Sequence, residues 1–240
     1  MENQVRRETV EAECLECRIG RTEPLVEGVA DQVGKSRIKF VIFDFGGVFV
    51  RDGLSTARKV YSERTGVDID KLWRNDLKPT WKRWEKGEIS EEEFYSALTK
   101  AIGSDRFDLA DFKSMFWTAM RRDEEMVALI KRLRKGGYTT ALLTNNTKEW
   151  VEQYDRQDPF DQYFDAVVSS HEVAVIKPDL AIYEITMQRL GAKPEECVFI
   201  DDKERNLAAA MSLGMKAIRC TTGGAQVEGE LEGLLKERDQ

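Results

Sequence analysis

The sequence predicts a doubly wound (Rossmann-like) parallel α/β sheet with an inserted α-helical cap domain. Short, unbroken apolar runs recur from Phe40 onward, with the length and continuity of strands buried on both faces of a parallel sheet. Helical periods lie between most of them and close at glycine, where a helix end takes a left-handed residue. The interval between the first and second runs does not alternate and keeps helical spacing, as an insertion would.

In chain order the runs are Phe40–Phe43, Thr139–Leu143, Ala166–Ser169, Cys197–Ile200 and Lys216–Arg219. Helices are predicted over Glu124–Lys135 before Gly136-Gly137, over Leu180–Leu190 before Gly191, and over Glu204–Leu213 before Gly214. Strand, helix, strand in succession argues for right-handed crossovers in one sheet. Residues 54–121 form the expected cap. Ser90-Glu-Glu-Glu93 ahead of Phe94 has the form of a capping box and starts a helix there. Trp73, Trp81, Trp84 and Trp117 fall in this interval with Tyr61, Phe94, Tyr95, Phe112 and Phe116, which reads as an aromatic core of the cap with one or two rings facing a site. The core comprises 37–53 and 122–225. Residues 1–36 read as an N-terminal tail, and 226–240 as a charged C-terminal tail that ends the fold.

Composition narrows the chemistry. Lys and Arg number 37 against 44 Asp and Glu, a net charge of −7, so nucleic acid is not the expected partner. The apolar run at Phe40 meets Asp44 far short of the ~18 residues that cross a bilayer, so no membrane span is expected. The four cysteines lack the density of a disulfide scaffold, which suits a reduced, cytoplasmic protein. Cys14 and Cys17 form a CxxC without a second pair to complete a metal site. His171 is the single histidine, which excludes paired-His zinc sites and leaves carboxylates, Lys and hydroxyls to do the chemistry.

Ligands of open α/β sheets bind beyond the carboxyl ends of strands. The polar residues there are Asp44, Thr144 with Asn145, Lys177, and Asp201 with Asp202. Singly, each has an ordinary use: a cap or turn for Asp44, loop chemistry for Thr144-Asn145, a solvated turn for Lys177-Pro178, a helix N-terminus for the acid pair. Together, a carboxylate nucleophile, hydroxyl and amide donors, an ammonium and paired carboxylates suit an anion bridged by a hard cation such as Mg²⁺. Phosphoryl transfer needs that combination, and an Asp nucleophile divides hydrolysis into formation and breakdown of an acyl phosphate.

These residues lie in four ordered stretches. Val41-Ile-Phe-Asp-Phe-Gly-Gly-Val48 resembles the first motif of the haloacid dehalogenase-like hydrolase superfamily and Leu143-Thr-Asn145 the second. Lys177-Pro-Asp179 with Ile182-Tyr183 resembles the third, and Phe199-Ile-Asp-Asp202 with Asn206 the fourth. Gly87-Glu-Ile-Ser-Glu-Glu-Glu-Phe94 is similar to the helical cap of the subgroup whose cap lies between the first two motifs, and the resemblance spans Lys39 to Thr221. It implies Asp44 as nucleophile and Mg²⁺ ligand, with the Gly46 carbonyl also on the metal. Thr144, with Asn145 beside it, would bind the transferring phosphoryl group, and Lys177 would hold Asp44 and that group in register. Asp202 would be the closer metal ligand, with Asp201 next to it.

The family's phosphatases carry an acid two residues after the nucleophile, and here that position is Gly46. General acid–base catalysis is worth about 10²–10⁴-fold, so the role is lost, moved, or made unnecessary by an acidic leaving group. Asp52 is near in sequence, although Asp52-Gly53 reads first as a turn. The similar subgroup with Asp-x-Gly-x-Val includes sugar-phosphate phosphatases. Dehalogenases of the superfamily also lack the acid but need no metal and keep no carboxylate pair in the fourth motif. The expectation is a Mg²⁺-dependent phosphatase acting on a small phosphorylated metabolite as a monomer or homodimer; the alternatives are a haloacid dehalogenase and a catalytically weakened binding or regulatory protein. His171 is expected to order its loop, and Lys131-Arg-Leu-Arg-Lys135 to be a solvated helix face.

Overall fold

The computed structural model describes residues 37–103 and 107–236; the N-terminal segment with Cys14 and Cys17 lies outside the described residues. Five parallel strands form one sheet: β1 (Phe40–Phe43), β2 (Thr139–Thr144), β3 (Ala166–Ser169), β4 (Cys197–Asp201) and β5 (Lys216–Arg219). Their order is β3-β2-β1-β4-β5, with Phe43 in register with Leu142 on one side and Ile200 on the other. The doubly wound α/β architecture is therefore the one predicted. Its strand order reverses at β1, which places the ends of β1, β2 and β4 side by side.

Alternation along the central strands supplies both faces. Val41 and Phe43 join Leu142, Val198 and Ile200 in one core, closed by Met126 and Ile130 of α6 (Glu124–Lys135) and by Val151 of α7 (Lys148–Gln157). Ile42 joins Ala141, Leu143 and Phe199 in the other. That face is closed by Ile182 and Met187 of α9 (Leu180–Leu190) and by Leu207 of α10 (Glu204–Ser212), with the single turn α8 (Ser170–Val173) leading into it. Left-handed glycines follow α6, α9 and α10 at Gly137, Gly191 and Gly214.

Between β1 and α6 lies an all-helical insertion: α1 (Gly53–Thr65), α2 (Ile69–Leu72), a π-helical turn (Trp73–Leu77), α3 (Lys78–Glu85), α4 (Glu91–Ile102) and α5 (Leu109–Ala119). The Ser90–Glu93 box caps α4 in both directions, Glu93 N–H donating to Ser90 Oγ at 3.2 Å and Ser90 N–H to Glu93 Oε2 at 2.8 Å. Tyr61, Trp81, Trp84, Phe94, Phe112 and Phe116 pack into one aromatic cluster, as expected of the cap. Trp150, on core helix α7, completes that cluster, with its ring 3.9 Å from Phe116 and 5.2 Å from Trp81 between centroids.

One boundary differs from the sequence reading. Residues 226–236 of the stretch read as a charged tail lie in helix α11 (Gly224–Lys236), where Val227 and Leu231 insert fully into the first core; 237–240 lie outside the described residues. Glu and Gly dominate its composition and hide an apolar stripe at four-residue spacing, Val227, Leu231 and Leu235. The basic run on α6 is a paired, solvated face: Arg132 bridges to Glu228 of α11 and Arg134 to Asp165. His171 bonds Ser169 Oγ through Nδ1 at 2.8 Å, and burial lowers its pKa, consistent with a loop-ordering role. Among the described residues no helix is long and apolar enough to cross a membrane. Leu231→Ala should destabilise the protein by about 2–4 kcal/mol in urea denaturation, the loss expected of a core leucine, whereas a solvated tail would give no change.

Candidate active site

Asp44 follows the last residue of β1 and is fixed before any ligand arrives. Its N–H continues the sheet ladder to Ile200 O at 2.8 Å, and its Oδ1 accepts from Phe45 N at 2.7 Å and from Lys177 Nζ at 2.6 Å. The chain then turns tightly, with Phe49 and Val50 N–H both returning to Phe45 O at 2.9 Å. Gly47 sits at φ 88°, and a Cβ there would lie 2.9 Å from Asp202 Cγ, so this position requires glycine. At Gly46 a Cβ would meet nothing within 4 Å.

Lys177 comes from the loop after α8 and is 2% exposed. Its ammonium donates to Asp44, to Asp201 Oδ2 at 3.0 Å and to Leu143 O at 2.8 Å, so the three strand ends β1, β2 and β4 share one cation. Asn145 holds the Lys177 backbone at both poles, accepting from its N–H at 2.7 Å and donating to its carbonyl at 3.0 Å. The Asn145 side chain thus acts on the placement of Lys177. Thr144, the last residue of β2, is buried and lines the same cavity as Asp44.

The two acids after β4 differ. Asp201 is fully buried with both oxygens occupied: Oδ2 accepts from Lys177 Nζ and from Asn206 Nδ2 at 2.9 Å, and Oδ1 from Lys203 N at 2.7 Å. Asp202 Oδ1 is buried without a hydrogen-bond partner. One carboxylate oxygen from each of Asp44, Asp201 and Asp202 can be chosen so that all three lie within 4.8 Å of one another, a spacing open to a shared cation.

Burial pushes the Asp44 carboxyl up to about 6 against the pull of the Lys177 ammonium, with the Asp201 charge adding to the rise. Burial works the same way on Asp201, but Lys177 and the Asn206 and Lys203 donors hold it below the usual carboxylate range. Asp202 is raised by burial, the nearby Lys203 opposing. Lys203 is itself held above its ordinary value, burial being outweighed by Asp44, Asp202 and Asp201.

These groups open into a cavity of about 280 Å³ between cap and core. The cap contributes Trp73, Trp81, Glu85 and Phe116, and Arg58, Lys78, Lys82, Lys203 and Arg205 add positive charge around it. All the strand-end residues singled out in the sequence gather here or directly beneath. Lys203 was legible as the first residue beyond the acid pair. Glu85, on a charged helix, carries no signal of its own.

Residues 38–214 match the sequence profile of the haloacid dehalogenase-like hydrolases. The chain is 31% identical to mouse Acyl-CoA dehydrogenase family member 10 over 84% of its length, which is 20% of that protein, and it spans 24% of mouse Bifunctional epoxide hydrolase 2. It is 28% identical to Sesquiterpene phosphatase astK of Aspergillus oryzae, covering 76% of this chain and 90% of that one. It is 24% identical to (S)-2-haloacid dehalogenase 4A of Burkholderia cepacia, covering 69% and 75%. Among solved structures, a HAD-like family hydrolase from Porphyromonas gingivalis superimposes with a TM-score of 0.69 at 26% identity, over 85% of this chain and all of the other. A HAD family enzyme from Bacteroides thetaiotaomicron, in complex with magnesium and inorganic phosphate, gives 0.60 at 22% identity over 76% and 93%. A sheet that gathers four ordered motifs around Asp44 and a profile match across most of the chain agree: this protein belongs to the haloacid dehalogenase-like hydrolases.

Proposed function

We propose that this hydrolase is a Mg²⁺-dependent phosphatase that cleaves a small phosphate monoester through an aspartyl-phosphate on Asp44. The observation that carries this reading is the convergence of Asp44, Asp201 and Asp202 beside the Lys177 ammonium at the floor of one cavity. The residues fit a hard divalent cation: the donors are carboxylate oxygens, and buried Asp202 Oδ1 takes no hydrogen bond, with Lys203 Nζ standing off at 3.7 Å. Asp44 and Asp202 would hold the ion, with the Gly46 carbonyl and Asp201 beside them. When bound, Mg²⁺ supplies charge neutralisation for the nucleophile and the phosphoryl oxygens.

The chain's own groups account for the rest. Lys177 and the Phe45 N–H fix one oxygen of Asp44, leaving Oδ2 as the attacking atom. Lys177 offsets the charge that accumulates as carboxylate and phosphoryl group meet, and Thr144 offers a hydroxyl to a phosphoryl oxygen. The cations around the cavity favour an anionic substrate, while Trp73, Trp81 and Phe116 exclude water from it. The phosphatase among the relatives and the magnesium–phosphate complex of the Bacteroides enzyme support the same reading.

Gly46 favours a second reading, a haloacid dehalogenase, because a halide leaves without a proton. The carboxylate pair and the cationic wall weigh against it, since a metal-free reaction has no use for three carboxylates gathered within 4.8 Å.

Three outcomes are expected. Phosphate release from a panel of phosphate esters should require Mg²⁺, stop with EDTA and be abolished by Asp44→Asn; halide release from 2-haloacids without metal would establish the other reading. Gly46→Asp should be accommodated, given the open space at its Cβ, and should keep the fold and the Mg²⁺-dependent turnover of the wild type. Lys177→Met leaves Asp44 and Asp201 facing each other without a counter-charge, so the apoprotein should lose about 3–5 kcal/mol in urea denaturation at pH 8. Because the ammonium favours the ionised carboxylates, that loss should shrink as pH falls toward 5 and they protonate.

A further inference from the structure

A phosphate ester with an alkoxide leaving group needs a proton donor, and Gly46 cannot be one. Among the described residues, the carboxyl groups that line the cavity are Asp44, Asp52 and Glu85. Asp44 is the nucleophile in the reading above. Asp52 caps α1, its Oδ1 accepting from Ser55 N at 3.0 Å and its Oδ2 from Ser55 Oγ at 2.6 Å, so both oxygens are engaged in starting the cap.

Glu85 is differently placed. It is the last residue of α3, its side chain is partly buried, and among the described residues no cation forms an ion pair with it. Its carbonyl accepts from Ser170 Oγ at 2.5 Å, and that same oxygen accepts from Asn146 N at 3.0 Å. Asn146 lies two residues beyond Thr144, so this bridge ties the backbone of Glu85 to the loop that follows β2. The contact is tight: a Cβ on Gly87 would come within 3.0 Å of His171 O. The cap acid is therefore held against the core in the same cavity as Asp44.

We propose that Glu85 is the general acid–base of this site, delivered by the cap in place of the missing acid at Gly46. This rests on the phosphatase reading. In the first step an Asp44 oxygen forms a bond to phosphorus, the ester P–O bond breaks, and the departing oxygen takes the proton of Glu85. In the second, Glu85 as carboxylate takes a proton from water, the water oxygen bonds to phosphorus, and the acyl phosphate P–O bond breaks to return Asp44 and release phosphate. Each proton lent is recovered, and no further reactant is required.

The environment suits both half-roles. Burial pushes the Glu85 carboxyl up to about 7, while the Trp81 indole on its own helix and Lys203, Lys177 and Arg205 on the core side oppose the rise.

The test uses the full chain with Mg²⁺ and substituted phenyl phosphates, which share the transferred group and differ in leaving-group acidity. Glu85→Gln should lower kcat/KM, which reports the steps up to leaving-group departure, by about 10²-fold or more for phenyl phosphate and barely change it for 4-nitrophenyl phosphate. Gly46→Asp in the same chain should restore the loss. Equal effects on kcat/KM for both esters, or none, would overturn the assignment while leaving the phosphatase reading intact. Turnover that survives Asp44→Asn, or its absence in the wild type, would instead remove that reading and this one with it.

Thermal unfolding gives a readout independent of turnover. A folded-state value near 7 against 4.5 unfolded makes the Glu85 contribution to stability full below pH 4.5 and lost as pH rises through 7. Tm of Glu85→Gln should therefore match the wild type near pH 4 and exceed it at pH 8. A difference that does not change with pH would overturn the proposal, and a uniformly low Tm would identify Glu85 as structural.

Discussion

The site is organised by a single buried ammonium. Lys177 is almost without solvent, and removing its charge from water would be prohibitive were it not matched by Asp44 and Asp201. Those carboxylates are tolerated for the reciprocal reason. The three ends of β1, β2 and β4 are held at fixed spacing by the sheet, so the cation links atoms that hydrogen-bonded strands have already positioned. Asn206 Nδ2 and the Lys203 N–H add further donors to Asp201, and Asn145 fixes the Lys177 backbone. Asp202 Oδ1 and Asn206 Oδ1 lack hydrogen bonds, and the Asp202 oxygen faces only Lys203 Nζ, at 3.7 Å.

Charge over the rest of the molecule is arranged the other way. The chain carries −7 overall, yet Arg58, Lys78, Lys82, Lys203 and Arg205 stand around the cavity. The cavity thus gathers cations that the chain as a whole has in deficit.

Much of this was legible in the sequence for physical reasons. A strand buried on both faces must be continuously apolar, so β1 to β4 announce themselves and the polar residue after each stands out, as Asp44, Thr144 and Asp201 do. Glycine marks helix ends because few other residues tolerate the left-handed turn. The failures have equally definite causes. Helix α11 hides two core residues among glutamates and glycines, where a four-residue stripe is easily lost. Trp150 belongs by sequence to the core and by packing to the cap, a relation that no local pattern encodes. Whether a charged side chain such as Glu85 faces water or a cavity depends on the partner element, which the sequence of α3 does not contain.

Trp150 bears on how such a protein can diverge. A cap inserted in a loop is commonly pictured as a module, exchanged or enlarged while the catalytic sheet is kept. Here the ring system of the insertion is closed by a residue of α7, the helix that directly follows the second motif, and the Trp84 indole also donates to Glu149 on that helix at 3.0 Å. Exchanging the insertion alone would strand an indole and a carboxylate on the surface of the core. Change in substrate preference in this lineage is therefore channelled toward coordinated substitutions in α3, α5 and α7, and away from wholesale replacement of the insertion.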